Sequence, residues 1–385
     1  MSFLGEITLE EFLHEYWQKK PLLIRNAFPD WKNIVEPDEL AGLALEEFIE
    51  SRLLLGNACF DEWQLEHGPF QASRFSTLGD KYWTLLVQGV DQWVEPVADL
   101  LDEFRFAPNW RVDDVMISYA VDGGSVGPHF DNYDVFLIQG LGQRRWQVGG
   151  ECGSDSALQD NEQLKILSNM VVEHDWVLNE GDMLYLPPRF SHWGRAIGES
   201  MTYSVGFTAP SNADVVGYIC NDFISRCDDN DRYSDPDLSD TQAPGEITAD
   251  AIEKVQSLIQ GIADDKQQLA RAFGEMMTEP KNADLFECCD PLDEAQMLAM
   301  INTHQVIAKN TVSRISYYQS EDNCLLFVDG QSFVCTSAGS IAVAQQLADC
   351  GGLMIDEMKQ ALIDTQTITL LIELFANDSV EFIND

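Results

Sequence analysis

A chain of 385 residues exceeds one ordinary domain, and its 45% hydrophobic content supplies two or three compact cores. Its 65 acidic residues against 23 basic ones leave a formal net charge of −42, which repels nucleic acid and either favours basic partners or serves solubility. No run of about 18 uncharged apolar residues occurs, and Glu6, Glu10 and Glu11 stand where a secretory leader would be basic, so a cytoplasmic protein without membrane spans is expected. The nine cysteines are scattered, with Cys288–Cys289 the only close pair and no C-x-x-C spacing, and read as reduced thiols.

In chain order, a helix is predicted over residues 8–18, capped by Thr8 with Glu11 three positions on, and with Leu9, Phe12, Leu13 and Tyr16 on one face. Pro21 ends it, and 22–24 reads as a strand. Short apolar or alternating runs follow at 83–90, 115–119, 135–138, 145–148, 183–186 and 201–207, separated by Gly123-Gly124 and Pro187-Pro188. Such spacing predicts a sandwich or jelly roll for residues 1–210. After Pro210 the period becomes helical, over 215–225 and 252–277. Between these, residues 228–246 hold seven acids, one arginine and two prolines, a composition that buries too little to order itself and reads as an exposed linker. Residues 286–385 form a third, winged-helix-like unit, with a helix at 294–302, a hairpin (315–319 and 325–334) and helices at 341–348, 355–363 and 368–375. Its thirteen acids against three bases over 291–385 have the wrong sign for phosphate contact.

The chemistry concentrates in two segments. In Gly127-Pro128-His129-Phe130-Asp131, residues i and i+2 of a strand share a face, so His129 and Asp131 would point together into a barrel mouth. An imidazole and a carboxylate supply two ligands of a 2-His-1-carboxylate face, which leaves metal positions open. The second segment, 181–194, passes through an apolar strand and the Pro187-Pro188 corner to His192, placed to return over the same mouth. His14, His67, His174 and His304 lack such context and read as structural. Gly123–Gly127 lacks the Gly-Lys-Ser/Thr ending of a phosphate loop.

The pairing of GPHFDNYDVFLIQGLGQRRWQVG with GDMLYLPPRFSHWGRAIGESMTYSVGF resembles the JmjC oxygenases, and more narrowly the bacterial ribosomal oxygenases that hydroxylate an arginine of the sixteenth large-subunit ribosomal protein. The opening EYWQKKPLLIRNAFP is similar to the same family. The resemblance implies a double-stranded β-helix core with Fe(II) held by His129, Asp131 and His192, and 2-oxoglutarate and O2 as cosubstrates. It also chooses Arg144 for the distal carboxylate of 2-oxoglutarate, with Ser118 as a second contact. Strand spacing puts Arg144 and Arg145 on opposite faces without saying which faces inward. Around the target side chain the resemblance places Asp114, Met116, Tyr133 and Ser204, a carboxylate for a guanidinium and packing for its methylenes. It makes residues 211–285 a helical dimerisation segment, hence a homodimer with a basic protein substrate. Rival readings are a JmjC oxygenase for another residue or protein, a catalytically silent JmjC scaffold, and a cupin-fold enzyme using another metal. The scaffold would be expected to lack a ligand or the arginine.

Overall fold

In the computed structural model of the chain, Thr8 Oγ1 accepts from the Glu11 amide at 3.1 Å and opens helix α1 (Leu9–Glu15). The helix ends before the predicted residue 18, because Gln18 takes a left-handed φ of 57° and turns the chain into the first strand. The structure describes residues 3–57, 62–161, 163–238, 243–286 and 290–384; Cys288–Cys289 and positions 239–242 of the acidic segment lie outside the described residues. The chain falls into two units, Met1–Ala209 and Pro210–Asp385.

Besides α1 and α2 (Pro37–Leu43), the first unit holds β1 (Leu22–Ile24), β2 (Ser51–Asn57), β3 (Glu62–His67), β4 (Trp83–Val87), β5 (Val112–Ala120), β6 (Val135–Glu151), β7 (Val172–Leu178), β8 (Met183–Leu186) and β9 (Phe190–Phe207). They pair antiparallel in the order β1-β8-β6-β9-β5-β4-β2-β3, with β7 on β6. This is the expected double-stranded β-helix. The runs 135–138 and 145–148 are one strand rather than two, and 201–207 is the end of an 18-residue strand.

The β6–β9 ladder is interrupted where the two long strands bend. Gln139 pairs with Thr202 and Leu141 with Met201, so Gly140 is an extra residue in β6. Gly142 pairs with Ser200 and Gln143 with Ile197, so β9 carries two extra residues there. The bend needs glycine. A Cβ at 140 would lie 2.3 Å from the Tyr203 ring, and Gly142 has φ +63° with a Cβ position 2.1 Å from the Glu199 carbonyl oxygen.

The first part of β6, Val135–Gly140, is buried on both faces, which explains its apolar run, whereas farther on Gln143 and Arg145 are exposed and Arg144, Trp146 and Val148 buried. Phe136 and Ile138 join the main core with Phe3, Phe12, Phe104 and Tyr185. The rings of Phe136 and Tyr185 lie 4.8 Å apart, within the range of favourable aromatic pairing. Val135 and Leu137 face a second cluster with Trp146, Val148 and Leu186. At the start of β6, Asp134 is fully buried and fully served. It accepts from the Tyr185 hydroxyl at 2.7 Å, from Gln18 Nε2 at 2.9 Å and from Arg111 Nη2 at 3.3 Å. Burial pushes its carboxyl above the usual range, and those three donors pull against the shift.

In the second unit, the predicted helix 252–277 is two, α4 (Ala249–Asp264) and α5 (Lys266–Thr278), after α3 (Asn212–Arg226). Asp265 breaks the run and caps the next helix, accepting from the Gln268 amide at 3.0 Å. The described residues of 228–246 make only turns and lie mostly exposed. The predicted strand 325–334 is likewise two strands, Cys324–Val328 and Gln331–Cys335, joined by Asp329-Gly330 with both φ angles positive. An Asp-Gly pair between apolar runs is the hairpin signal that this reading missed. With the helices Glu294–Thr303, Ala338–Cys350, Ile355–Leu362 and Thr365–Ala376, this hairpin makes the expected winged helix. No helix among the described residues is long and apolar enough to cross a membrane.

Candidate metal centre

His129 and Asp131 lie in the irregular segment between β5 and β6 and not in a strand, contrary to expectation. What fixes them is a bridge to β9. The His129 amide donates to the His192 carbonyl at 3.0 Å, the reverse bond measures 2.8 Å, and the Arg189 amide donates to the Asp131 carbonyl at 2.6 Å. The three side chains converge. Asp131 Oδ2 lies 3.5 Å from His192 Nε2 and 3.8 Å from His129 Nε2, and one ligand atom from each residue lies within 4.8 Å of the others. The carboxylate separations are too long for good hydrogen bonds and leave room for one ion.

The ring nitrogens are assigned by their partners. His129 Nδ1 lies 3.0 Å from the Gly127 carbonyl and His192 Nδ1 lies 3.0 Å from the Phe190 carbonyl. A carbonyl only accepts, so each Nδ1 carries the proton and each Nε2 keeps its lone pair for the shared space. Burial, reinforced by the neighbouring His129, lowers His192 to about 4, so the ring is neutral at physiological pH.

A cavity of about 370 Å³ opens on this trio. Three alternate residues of β5 line it, Asp114, Met116 and Ser118, so it runs along that strand. Beside Ser118 stands Arg144, only 5% exposed. Its Nη1 donates to Ser118 Oγ at 3.1 Å, while its buried Nε and Nη2 find no acceptor in the protein. Burial lowers this guanidinium to about 10, still well above neutral pH, so it is a buried cation lacking a counter-charge. Arg145 points outward into an ion pair with Asp175. The structure thus turns Arg144 inward and Arg145 outward. A small anion with two adjacent acceptor oxygens would satisfy the two orphaned donors.

Farther along the cavity, Asp114 is 2% exposed and accepts from Gln88 Nε2 at 2.7 Å. Met116 pairs in register with Ser204 across β5 and β9, and both line the cavity. Tyr133 lines it too, partly exposed; burial of its hydroxyl and the adjoining Asp131 carboxylate hold the phenol above its ordinary range. All nine singled-out residues therefore meet in one cavity. Sequence reasoning missed Gln88, Arg52 and Trp146, which also line it, and Ser125, whose hydroxyl accepts from Gly127 N at 3.0 Å and Trp193 Nε1 at 2.9 Å and so braces the metal loop. Gln88 carried one legible signal, a polar residue closing an apolar strand. None of the remaining four histidines lines this cavity: His174 stacks on Trp176, and His304 Nδ1 bonds the Met300 carbonyl.

Comparison with known proteins adds to this geometry. Residues 99–215 match the JmjC domain model and residues 260–381 the ROXA-like winged helix model. The chain is 37% identical to the Escherichia coli ribosomal protein uL16 3-hydroxylase over 73% of its length and 74% of that protein. It is 40% identical to a probable ribosomal oxygenase of Haemophilus influenzae over 60% of its length and 55% of that protein. The crystal structure of E. coli YcfD superposes with a TM-score of 0.88 at 30% identity, covering 98% of each chain. A YcfD structure in complex with cobalt and 2-oxoglutarate gives a TM-score of 0.86 at the same identity and coverage.

Proposed function

This chain belongs to the JmjC ribosomal oxygenases, and from that premise we propose that it is an Fe(II)- and 2-oxoglutarate-dependent hydroxylase of an arginine side chain in ribosomal protein uL16. The observation that carries the proposal is the shared cavity, in which a His-Asp-His trio with two lone pairs turned inward stands near a buried arginine short of acceptors. His129, Asp131 and His192 would hold the iron, and three ligands on one face leave positions for a chelating 2-oxo acid and O2. Iron with these cosubstrates supplies an oxidant for an unactivated C–H bond, with succinate and CO2 released.

The protein's own residues bind, orient and shield. Arg144 takes the distal carboxylate of 2-oxoglutarate through Nε and Nη2, and Ser118 holds the third nitrogen in place. Asp114 meets the guanidinium of the target, Ser204 adds a hydroxyl, and Met116 and Tyr133 pack the aliphatic stem. The protein's acidity steers a basic ribosomal protein toward the cavity and away from nucleic acid. On α4, Ile252, Val255 and Ile259 lie three and four residues apart and more than 45% exposed, and on α3 Val216 and Ile224, eight residues apart, are exposed to a similar degree. An apolar stripe of this kind supports a homodimer through 211–285. A ribosomal substrate places the enzyme in the cytoplasm.

The test is a uL16 peptide with Fe(II), 2-oxoglutarate and O2, read by mass spectrometry. One oxygen is added to the arginine peptide, and its Arg→Lys variant is a much poorer substrate, because a carboxylate fork rewards the planar group. His129→Ala, Asp131→Ala and His192→Ala each lose iron and turnover, by about 100-fold or more. Equal hydroxylation of the lysine peptide removes the arginine reading. A protein that keeps iron but never forms succinate is the silent scaffold instead.

A further inference from the structure

We propose that Gln88 is a positioning residue that sets substrate preference by fixing the Asp114 carboxylate, an inference that rests on the reading of Asp114 as the partner of the target's cationic side chain. Gln88 follows β4 directly, is half-buried and lines the cavity. Its Nε2 donates to Asp114 Oδ2 at 2.7 Å, and its Oε1 accepts from Arg52 Nη2 at 3.2 Å. These partners leave the amide one orientation. A carboxylate only accepts and a guanidinium only donates, so a flipped amide would set oxygen against oxygen and N–H against N–H. Arg52 is held in turn beside Glu50, at 3.6 Å.

A carboxylate turns freely about its last bond, and a charge-assisted bond to one oxygen removes that freedom. With Oδ2 committed to Gln88, the plane of Asp114 is set, and the other oxygen lies toward β9. There its register partner is Gly206, which also lines the cavity, and a Cβ at 206 would lie 3.8 Å from Asp114 Oδ1. A planar guanidinium depends on the direction of the carboxylate more than a lysine ammonium does, because its donors form a rigid fork. Gln88 therefore contributes to the choice of arginine over lysine through Asp114, and Arg52 contributes by holding the amide the right way round.

The experiment is a double-mutant cycle on the full-length iron-loaded enzyme, with Gln88→Ala, Asp114→Asn and both together, using the uL16 arginine peptide and its lysine variant. Gln88→Ala raises KM for the arginine peptide about tenfold, the worth of one charge-assisted hydrogen bond, with a smaller change in kcat and a narrowed arginine-over-lysine preference. In the Asp114→Asn background it adds nothing. Gln88→Leu, which keeps the volume, behaves alike and serves if the alanine variant melts early. An unchanged KM in both Gln88 variants, or a Gln88 effect of full size in the Asp114→Asn background, overturns the inference and leaves the arginine pocket standing. Unchanged peptide kinetics in Asp114→Asn alone overturn the pocket itself.

Discussion

Two buried charges in the first unit, Asp134 and Arg144, are built to opposite ends. Asp134 is fully enclosed and accepts from Tyr185, Gln18 and Arg111, tying the end of α1 to β6 and β8. Arg144 is enclosed almost as completely and has one acceptor, Ser118 Oγ, for three nitrogens. A buried charge with a complete set of partners stabilises a fold, whereas one without them costs stability until something arrives to pair with it. The deficit at Arg144, and not its burial, marks it as waiting for a ligand. Among the described residues, the other buried side-chain atoms without partners also belong to the first unit: Trp63 Nε1, Thr84 Oγ1 and Trp146 Nε1. None of these atoms belongs to the described residues of the winged helix.

Asp134→Ala strands a tyrosine hydroxyl and a cation, and unfolding free energy should fall by about 3–5 kcal/mol, read from chemical denaturation of the unliganded protein. A loss below about 1 kcal/mol would mean that its three partners do not act as a lock. Arg144→Met should act in the reverse direction on the same assay, raising unliganded stability by about 1 kcal/mol, while the 2-oxoglutarate requirement worsens by about 2–5 kcal/mol in binding. Titration of cosubstrate against turnover measures the second effect, and a variant that loses both stability and affinity would show Arg144 to be structural. Arg145→Ala, at an exposed ion pair with Asp175, should change either quantity by less than about 1 kcal/mol. A larger loss of 2-oxoglutarate binding there would exchange the roles of the two arginines.

Much of the site was legible because its chemistry sits in short motifs. His129, Asp131 and His192 are found by ligand type and by the strand-and-corner route to His192, and the cavity gathers all three. The reason given for the first pair was incomplete, since they are aimed by a bridge to β9 and by carbonyl-bound Nδ1 atoms, which no spacing rule reveals. Gln88 and Arg52 escaped because they are linked across strands, Arg52 Nη2 donating to Gln88 Oε1 and Gln88 Nε2 to Asp114. In the second unit the helical period of 252–277 hid a break, since Asp265 suits a helix cap as well as it suits a polar face. The apolar run of 325–334 concealed a two-residue turn in the same way.

The extra residue at Gly140 decides which arginine the site receives. Counting by twos from Val135 and Leu137, which face the second cluster, an unbroken strand would present Gln143 and Arg145 inward. Gly140 occupies a position with no counterpart on β9, so the count slips from odd to even, and Arg144 and Trp146 take the inward places instead. Strand β9 gains two residues at its own bend and keeps its parity, so His192, Gly194, Ser204 and Gly206 all line the cavity from even positions. A single glycine therefore works as a phase shift between the two ends of β6. Pairing it with a residue of β9 would restore plain alternation, turning the cation that now pairs with Asp175 into the interior and Arg144 out to water.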